Sequence, residues 1–461
     1  MSVEEERLSI VAPGTATPLD TVTEMQAVDS KTAVFPSSTG HLFGGYFSPA
    51  RSWKFGKNDL IDARGRRLFE TTALACQADA YPFQIPLEAR TGPEVLADGH
   101  SMLMLSSYDY LGLIGDPRVD AAAIAAVTKY GTGTGGARLL TGTTDQHQRM
   151  ERDLAAFRGT EAAITFSSGY AANLAVIGAL FGPADRIIMD TLCHRSLTDA
   201  CRFAGVQLQR FQHNDMESLR HEIQNGTPAN RTLIITEGVF SMDGDICLLP
   251  EIIEIKKELG CFLLVDESHA TGVLGATGRG VDEHFGIAPS EVDIWTGSLA
   301  KAIPSTGGFV AGSRELAIFL QHAASPYIFS AALSPASVAA IREALVILAR
   351  EPERVAAVER NAHFLRSGLQ KLGYDTGLSE TAVIPVILKD EVTTALFARR
   401  LRDCGILAAP VLFPAVPQGL ARLRLCVTAA HTRVHLEFAL EVFSRMAGDL
   451  GVIAREQRSN G

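Results

Sequence analysis

The sequence predicts an α/β fold, with a large domain on a mainly parallel sheet and a smaller C-terminal α+β domain. Two features carry this expectation. Between residues 162 and 298, short and nearly continuous apolar runs alternate with helical stretches, as strands buried on both faces of a parallel sheet require. Beyond about residue 345 that alternation gives way to helices interleaved with two strand-like runs. A chain of 461 residues, 46% hydrophobic and 20% charged, is long enough to bury a large core and divide into domains.

Residues 1–50 mix Glu, Thr, Ser, Pro and Gly without sustained periodicity and read as a flexible extension; 51–110 form an N-terminal segment, 111–345 the large domain and 346–461 the small one. In DPRVDAAAIAAVTKYG, Asp116 suits an N-cap, Pro117 the first helical position and Gly131 the C-terminal cap. A second helix is expected over 145–158, with Met150, Leu154 and Phe157 on its buried face. Strands follow at AAITF (162–166), RIIMD (186–190), TLIITEG (232–238), CFLLVDES (261–268) and DIWTGS (293–298). The C-terminal part reads as a helix over about 353–372, the strand AVIPVILK, another helix, and the strand-like ARLRLCVTAAH.

Composition excludes several functions. Lys plus Arg number 42 against 52 Asp plus Glu, a net charge of −10, which offers no electrostatic footprint for nucleic acid or an anionic membrane. No apolar run approaches the roughly 20 residues of a membrane span, and MSVEEERLSI lacks the basic-then-apolar order of a secretory signal, so a cytoplasmic protein is expected. Seven cysteines without CxxC spacing indicate neither a disulfide framework nor a metal site. Cys193 and His194 could form a nucleophilic pair, although adjacent residues usually point apart. GTGTGG at 131–136 satisfies a dinucleotide-binding pattern, but a helix precedes it and Ala156 stands where an acidic residue is needed.

The residues that follow the strands are chemically capable: Ser167 and Ser168 with Gly169, His194, Glu237 with Ser241, Asp266 with His269, and Ser298 with Lys301. Ligands of open α/β sheets bind beyond the carboxyl ends of strands, so these groups are expected in one crevice. Singly, each has a plainer reading: a solvated lysine, a helix cap, a satisfied polar side chain. Jointly they suit pyridoxal phosphate (PLP), which needs a lysine for its aldehyde, a carboxylate facing its pyridinium nitrogen and a phosphate cradle. Asp266 is the candidate carboxylate, and FSSGYAAN, running from a strand end into a helix start, offers backbone N–H groups for the phosphate.

SYDYLGL, YGTGTGGARLLTGTTDQHQRMERDLAAF, FSSGYAAN, TEGVFSMDGD, VDESHATGVLGATGRG, TGSLAKAIPSTGG and ARLRLCVTAAHT occur in that order. Through them, residues 100 to about 435 resemble the α-oxoamine synthases, PLP-dependent transferases of fold type I, the aspartate-aminotransferase-like class. The resemblance implies that Lys301 binds the cofactor aldehyde, Asp266 pairs with the ring nitrogen, His269 contacts the ring hydroxyl and His194 stacks on the ring. It places Ser168, Gly169, Tyr170 and Ser298 at the phosphate, Ser241 near the cofactor and Arg424 on the amino-acid carboxylate. Tyr108 and Ala137 fall at the substrate. Ser330 would reach the phosphate of a neighbouring subunit, in a homodimer with shared active sites.

The reaction implied is condensation of an amino acid with an acyl thioester, on CoA or an acyl carrier protein, with loss of carbon dioxide. SYDYLGL and SPYIFSAALSP look closest to serine palmitoyltransferases, which favours serine or alanine with a long-chain, sphingolipid-like donor. APVLFPAVPQGLARLRL looks more like 8-amino-7-oxononanoate synthase or 2-amino-3-ketobutyrate CoA ligase, the alternatives. Ala137 stands where aminolevulinate synthases usually carry threonine, which argues against glycine with succinyl-CoA. Ile303 and Pro304 replace a residue and a glycine usual behind the lysine. A non-catalytic partner subunit is the remaining alternative, and the presence of Lys301 argues against it.

Overall fold

The computed structural model describes residues 47, 59–61, 63–77 and 81–449; the extension expected over 1–50 lies outside these, apart from residue 47. The first described helix is Ala63–Gln77. The strands are β1 (Glu94–Ala97), β2 (His100–Met104), β3 (Ala162–Phe166), β4 (Arg186–Asp190), β5 (Gln207–Phe211), β6 (Thr232–Glu237), β7 (Phe262–Asp266), β8 (Ile294–Ala300), β9 (Pro304–Gly312), β10 (Val383–Lys389), β11 (Ile406–Leu407), β12 (Ala409–Val411) and β13 (Ala421–Cys426).

Seven of them form the central sheet in the order β3-β9-β8-β7-β6-β4-β5. Pairings β8–β7, β7–β6, β6–β4 and β4–β5 are parallel, while β9 is antiparallel to both β8 and β3. Every strand but β9 therefore points the same way, and six carboxyl ends share one edge. The apolar runs explain the burial: all of Ile187, Ile188, Leu233, Ile234, Leu263, Leu264 and Val265 are inaccessible to solvent.

The two helices with marked ends form as expected. Pro117–Tyr130 begins where Asp116 accepts a hydrogen bond from the Arg118 N–H (3.0 Å) and ends at Gly131, φ +82°. In Asp145–Arg158, Met150 and Leu154 are buried and Phe157 packs partly buried against the core. β5 and β9 are the strands the sequence hides. QLQRF in β5 is half-polar, and β9 opens with Pro304 and carries Gly307, Gly308 and Gly312, residues that read as a loop. The glycines answer to close packing. A Cβ at Gly308 would come within 2.5 Å of Gly169 N and Cα, and closer still to the Ser168 carbonyl.

The C-terminal elements include helices Glu353–Lys371, Glu391–Asp403 and Arg433–Asp449 and the antiparallel sheet β10-β13-β12. A third sheet, β1-β2-β11, joins the N-terminal segment to this part by parallel pairing of β11 with β2. Among the described residues, no helix is long and apolar enough to cross a membrane. Gly308→Ala is expected to lower stability by about 1–3 kcal/mol through overpacking, measured by denaturant unfolding, because backbone on both sides leaves the methyl no room.

Candidate active site

The shared sheet edge opens on a cavity of about 200 Å³. Ser168, Gly169, Tyr170, His194, Ser241, Asp266, His269, Ser298 and Lys301 all line it, together with Asn173, Ser196, Glu237 and Ser268. A larger cavity lies at the other end of the strands, beside Phe262, Ile294 and Gly312, away from this cluster of chemistry.

Asp266 ends β7 and is only 5% exposed. Its Oδ2 accepts a hydrogen bond from Asn173 Nδ2 and its Oδ1 one from the Ser268 N–H, both 2.9 Å. Asn173 Nδ2 also donates to Ser196 Oγ (2.9 Å), and its Oδ1 is buried without a protein partner. Asn173 lies four residues after Gly169 in the helix Gly169–Leu180, so both sit on one face of its first turns.

Lys301 follows β8, and burial lowers its amine to about 8 from the ordinary 10.5, against the pull of Asp266 and Glu237. Glu237, at the end of β6, is pushed well above the carboxylate range by burial and then by the charge of Asp266; it accepts a hydrogen bond from the His194 N–H. Burial and the Lys301 charge hold His269 well below the usual histidine range. Its Nδ1 is 2.8 Å from Tyr110 Oη. His194 is also lowered, by burial, with Asp266 opposing, and its Nδ1 is 2.8 Å from Ser196 Oγ. Both rings are therefore neutral near pH 7 and already oriented by hydroxyl groups.

At the other end of the cavity, Ser168 caps the helix Gly169–Leu180 through its Oγ, which accepts from the Ala171 N–H (3.0 Å). The Gly169 and Tyr170 N–H groups find no backbone acceptor among the described residues, so the positive helix end is open to an anion. A Cβ on Gly169 would lie 3.3 Å from Ser298 Cα, so glycine lets the helix start lean on β8. Tyr170 is anchored by donating its hydroxyl to Asp199 (2.9 Å).

This donor set fits PLP. The helix end and Ser298 suit its phosphate, and the buried Asp266 suits a protonated ring nitrogen. The amine of Lys301, lowered to about 8 by burial, suits its aldehyde.

Arg424 on β13 adjoins the cavity rather than lining it. Its Nη1 donates weakly to the Ser241 carbonyl (3.5 Å), its guanidinium lies 5.1 Å from the centre of the Tyr108 ring, and its Nε is buried without a protein partner. Tyr108, 40% exposed, also meets His269 edge-on at 6.3 Å. Ala137 and Ser330 are not brought to the Lys301 cavity. Ala137 pairs with Ala331 in an isolated bridge, and Ser330 lines a separate small cleft with Arg138 and Tyr327.

Sequence reasoning passed over Asn173, Ser196 and Tyr110, and left Glu237 without a role. Only the four-residue spacing from Gly169 to Asn173 was a usable signal. The Cys193–His194 pair does not form: Cys193 is buried with its Sγ toward the Ile235 carbonyl (3.7 Å). GTGTGG follows a helix, as its context indicated, and lies outside the cavity. Among the described residues, no group of three or more His, Cys, Asp or Glu side chains is placed to hold a metal.

Residues 100–443 match the family model for aminotransferase class I and II. The chain is 42% identical over 378 residues to 8-amino-7-oxononanoate synthase from Symbiobacterium thermophilum, covering 82% of this chain and 96% of that protein. Among solved structures it is similar to a variant of serine palmitoyltransferase from S. paucimobilis with PLP and myriocin bound. There the TM-score is 0.83 at 33% identity, over 86% of this chain and 100% of that one. It is also similar to 8-amino-7-oxononanoate synthase from Francisella tularensis, TM-score 0.66 at 28% identity, over 75% and 97% of the two chains.

Adding PLP to cofactor-free protein is expected to produce an absorbance band at about 420 nm, absent in Lys301→Ala. Its rate of appearance should rise with pH through about 8 and then level off, following the neutral amine. A rate still climbing toward pH 10.5 would mean a solvated lysine.

Proposed function

Because the chain belongs to the PLP-dependent α-oxoamine synthases, within the aminotransferase class I and II family, we propose that it joins L-alanine to a seven-carbon dicarboxylic acyl thioester, forming 8-amino-7-oxononanoate. Membership of this family makes the chain a PLP-dependent acyltransferase. Alanine and the dicarboxylic donor are supported by 42% identity along almost the whole of a relative named 8-amino-7-oxononanoate synthase, against 33% for the serine palmitoyltransferase. The product's name then dictates the substrates. An amine beside a ketone, with a methyl at one end and a carboxylate at the other, disconnects into decarboxylated alanine and a seven-carbon diacid.

PLP, when bound, supplies an aldehyde for the amino acid's amine and an electron sink for its α carbon. The chain's residues do the rest. Lys301 holds the cofactor between turnovers and moves the α proton, a role suited to an amine near 8. Asp266, fixed by Asn173 and the Ser268 N–H, keeps the ring nitrogen protonated. His194 would cover the ring, and His269, braced by Tyr110, would meet the ring hydroxyl. The Gly169 and Tyr170 N–H groups and Ser298 hold the phosphate, with Ser168 fixing the helix start. Ser241, on the cavity wall, would lie close to the cofactor. Arg424 takes the amino-acid carboxylate with a fork that only weak contacts now occupy, and Tyr108 closes over it.

Ser330 and Ala137 serve the neighbouring subunit's site in a homodimer. Phe329, 83% exposed, and Leu140, 76% exposed, supply apolar surface beside them for such an interface. The second reading, serine with a long-chain acyl thioester, is favoured by the closer backbone overlay on serine palmitoyltransferase.

Thiol release measured across alanine, serine and glycine, each with heptanedioyl and palmitoyl thioesters, separates the two readings. Alanine with the heptanedioyl donor is expected to release thiol and carbon dioxide and give a product of the stated mass. Turnover of serine with the palmitoyl donor alone would sink the proposal in favour of the second reading.

A further inference from the structure

A second buried ionic cluster takes no part in the roles above. His213, in the loop after β5, lies between Asp190 at the end of β4 and Asp245 in the turn after β6. Its Nδ1 is 3.0 and 3.1 Å from the two Asp190 oxygens, and its Nε2 is 2.6 Å from Asp245 Oδ2. The Asp190 and Asp245 side chains are 0% and 5% exposed. A ring with an ionised carboxylate oxygen at each nitrogen is matched by a proton on each, because a neutral imidazole would set one lone pair against another. Asp190 also accepts the Leu192 and Asn214 N–H groups (2.8 and 2.9 Å).

The cluster grips the turn 240–245. Within it the Gly244 N–H donates to the Phe240 carbonyl (2.8 Å) and the Phe240 N–H to that of Asp245 (3.1 Å), while the Phe240 ring meets the imidazole edge-on at 4.4 Å. Ser241 of this turn lines the active-site cavity, and its carbonyl receives Arg424 Nη1. The next carbonyl, that of Met242, receives Arg422 Nη1 at 3.1 Å. One turn thus links the sheet edge to the strand that carries Arg424.

We propose that His213 is a positioning residue for the amino-acid substrate: as a cation clamped between Asp190 and Asp245, it fixes the 240–245 turn and hence the place of the Arg424 fork. This rests on the reading of Arg424 as the carboxylate binder. Without the cation, two buried carboxylates confront one another. The strain falls on the turn, since Asp190 is tied to backbone by two N–H donors, whereas Asp245 keeps only the Asn214 amide (3.2 Å) beside the ring and its Oδ1 is buried without a protein partner.

Burial lowers the pKa of His213, and the hydrogen bonds to Asp190 and Asp245 outweigh it, leaving it at about 10. A group raised in this way stabilises fully below its ordinary 6.5 and loses the effect as pH rises through about 10. The other ionisable groups acting on the two aspartates or flanking the turn are Glu237, the buried thiols of Cys193 and Cys247, Arg210, and the Arg422–Asp243 pair.

The test is calorimetric titration of holoenzyme, without acyl donor, from about pH 7 to about pH 10.5. The probe is whichever of L-alanine, L-serine or glycine the wild type binds. His213→Gln is expected to weaken binding about tenfold at pH 7. That ratio to wild type should hold to about pH 9 and shrink toward one above about pH 10, as the wild type loses the same cation. Titration of Lys301 and of the substrate amine cancels in the ratio. Asp245→Asn should shift the fall to lower pH, which decides the matter if His213→Gln does not fold. Arg424→Lys should weaken binding at every pH.

If Arg424→Lys binds normally, the carboxylate reading falls and the route through the turn falls with it. If Arg424→Lys binds weakly while His213→Gln binds normally, or with a ratio indifferent to pH, the positioning role alone is overturned. An Asp245→Asn profile that matches wild type overturns it as well.

Discussion

The structure turns on the buried carboxylate of Asp266. An ionised group at 5% exposure survives only if hydrogen bonds and opposite charge replace its water. Asn173 Nδ2 and the Ser268 N–H supply the first, each bond to a charged acceptor being worth about 1.5–3 kcal/mol. Lys301 supplies the second, and the same attraction opposes the loss of its own proton. Remove that carboxylate and the amine beside it, the amide below it and the ring nitrogen it is proposed to face all lose their counterpart.

Around this pair the pocket sorts its titratable groups by environment. Glu237, close to both Asp266 and Lys301, is pushed toward its neutral form, and His194 and His269 are held neutral. The net effect is a site in which burial pushes Glu237, His194, His269 and Lys301 alike toward their neutral forms. Beyond it, the 240–245 turn passes the geometry of the sheet edge to Arg424 through backbone carbonyls rather than side chains.

Much of this was legible residue by residue. Asp266, Lys301, His194, His269 and the FSSGYAAN turn follow strands whose apolar runs mark their own ends, so their convergence needed only the rule for parallel sheets. Asn173 and Tyr110 were not legible, because each acts on a residue far along the chain, Asp266 or His269, and nothing in a helix's or a loop's own pattern names a distant partner. β9 was missed for a related reason. Its Gly308 lets Ser168 and Gly169 approach, a demand set by a segment some 140 residues earlier along the chain, and locally the strand's glycines read as breakers.

By itself, then, the sequence determined the α/β alternation, five of the seven strands of the central sheet, the marked helix ends and the identity of the charged side chains at the strand termini. These depend on hydrophobic period and local backbone preference, which act over a few residues. Only the tertiary structure decided the sheet order β3-β9-β8-β7-β6-β4-β5, the company Asp266 keeps, the His213 clamp, and the separation of Ala137 and Ser330 from the Lys301 cavity. Pairing and burial join residues that the chain holds far apart, and their energies do not exist until the chain has closed on itself.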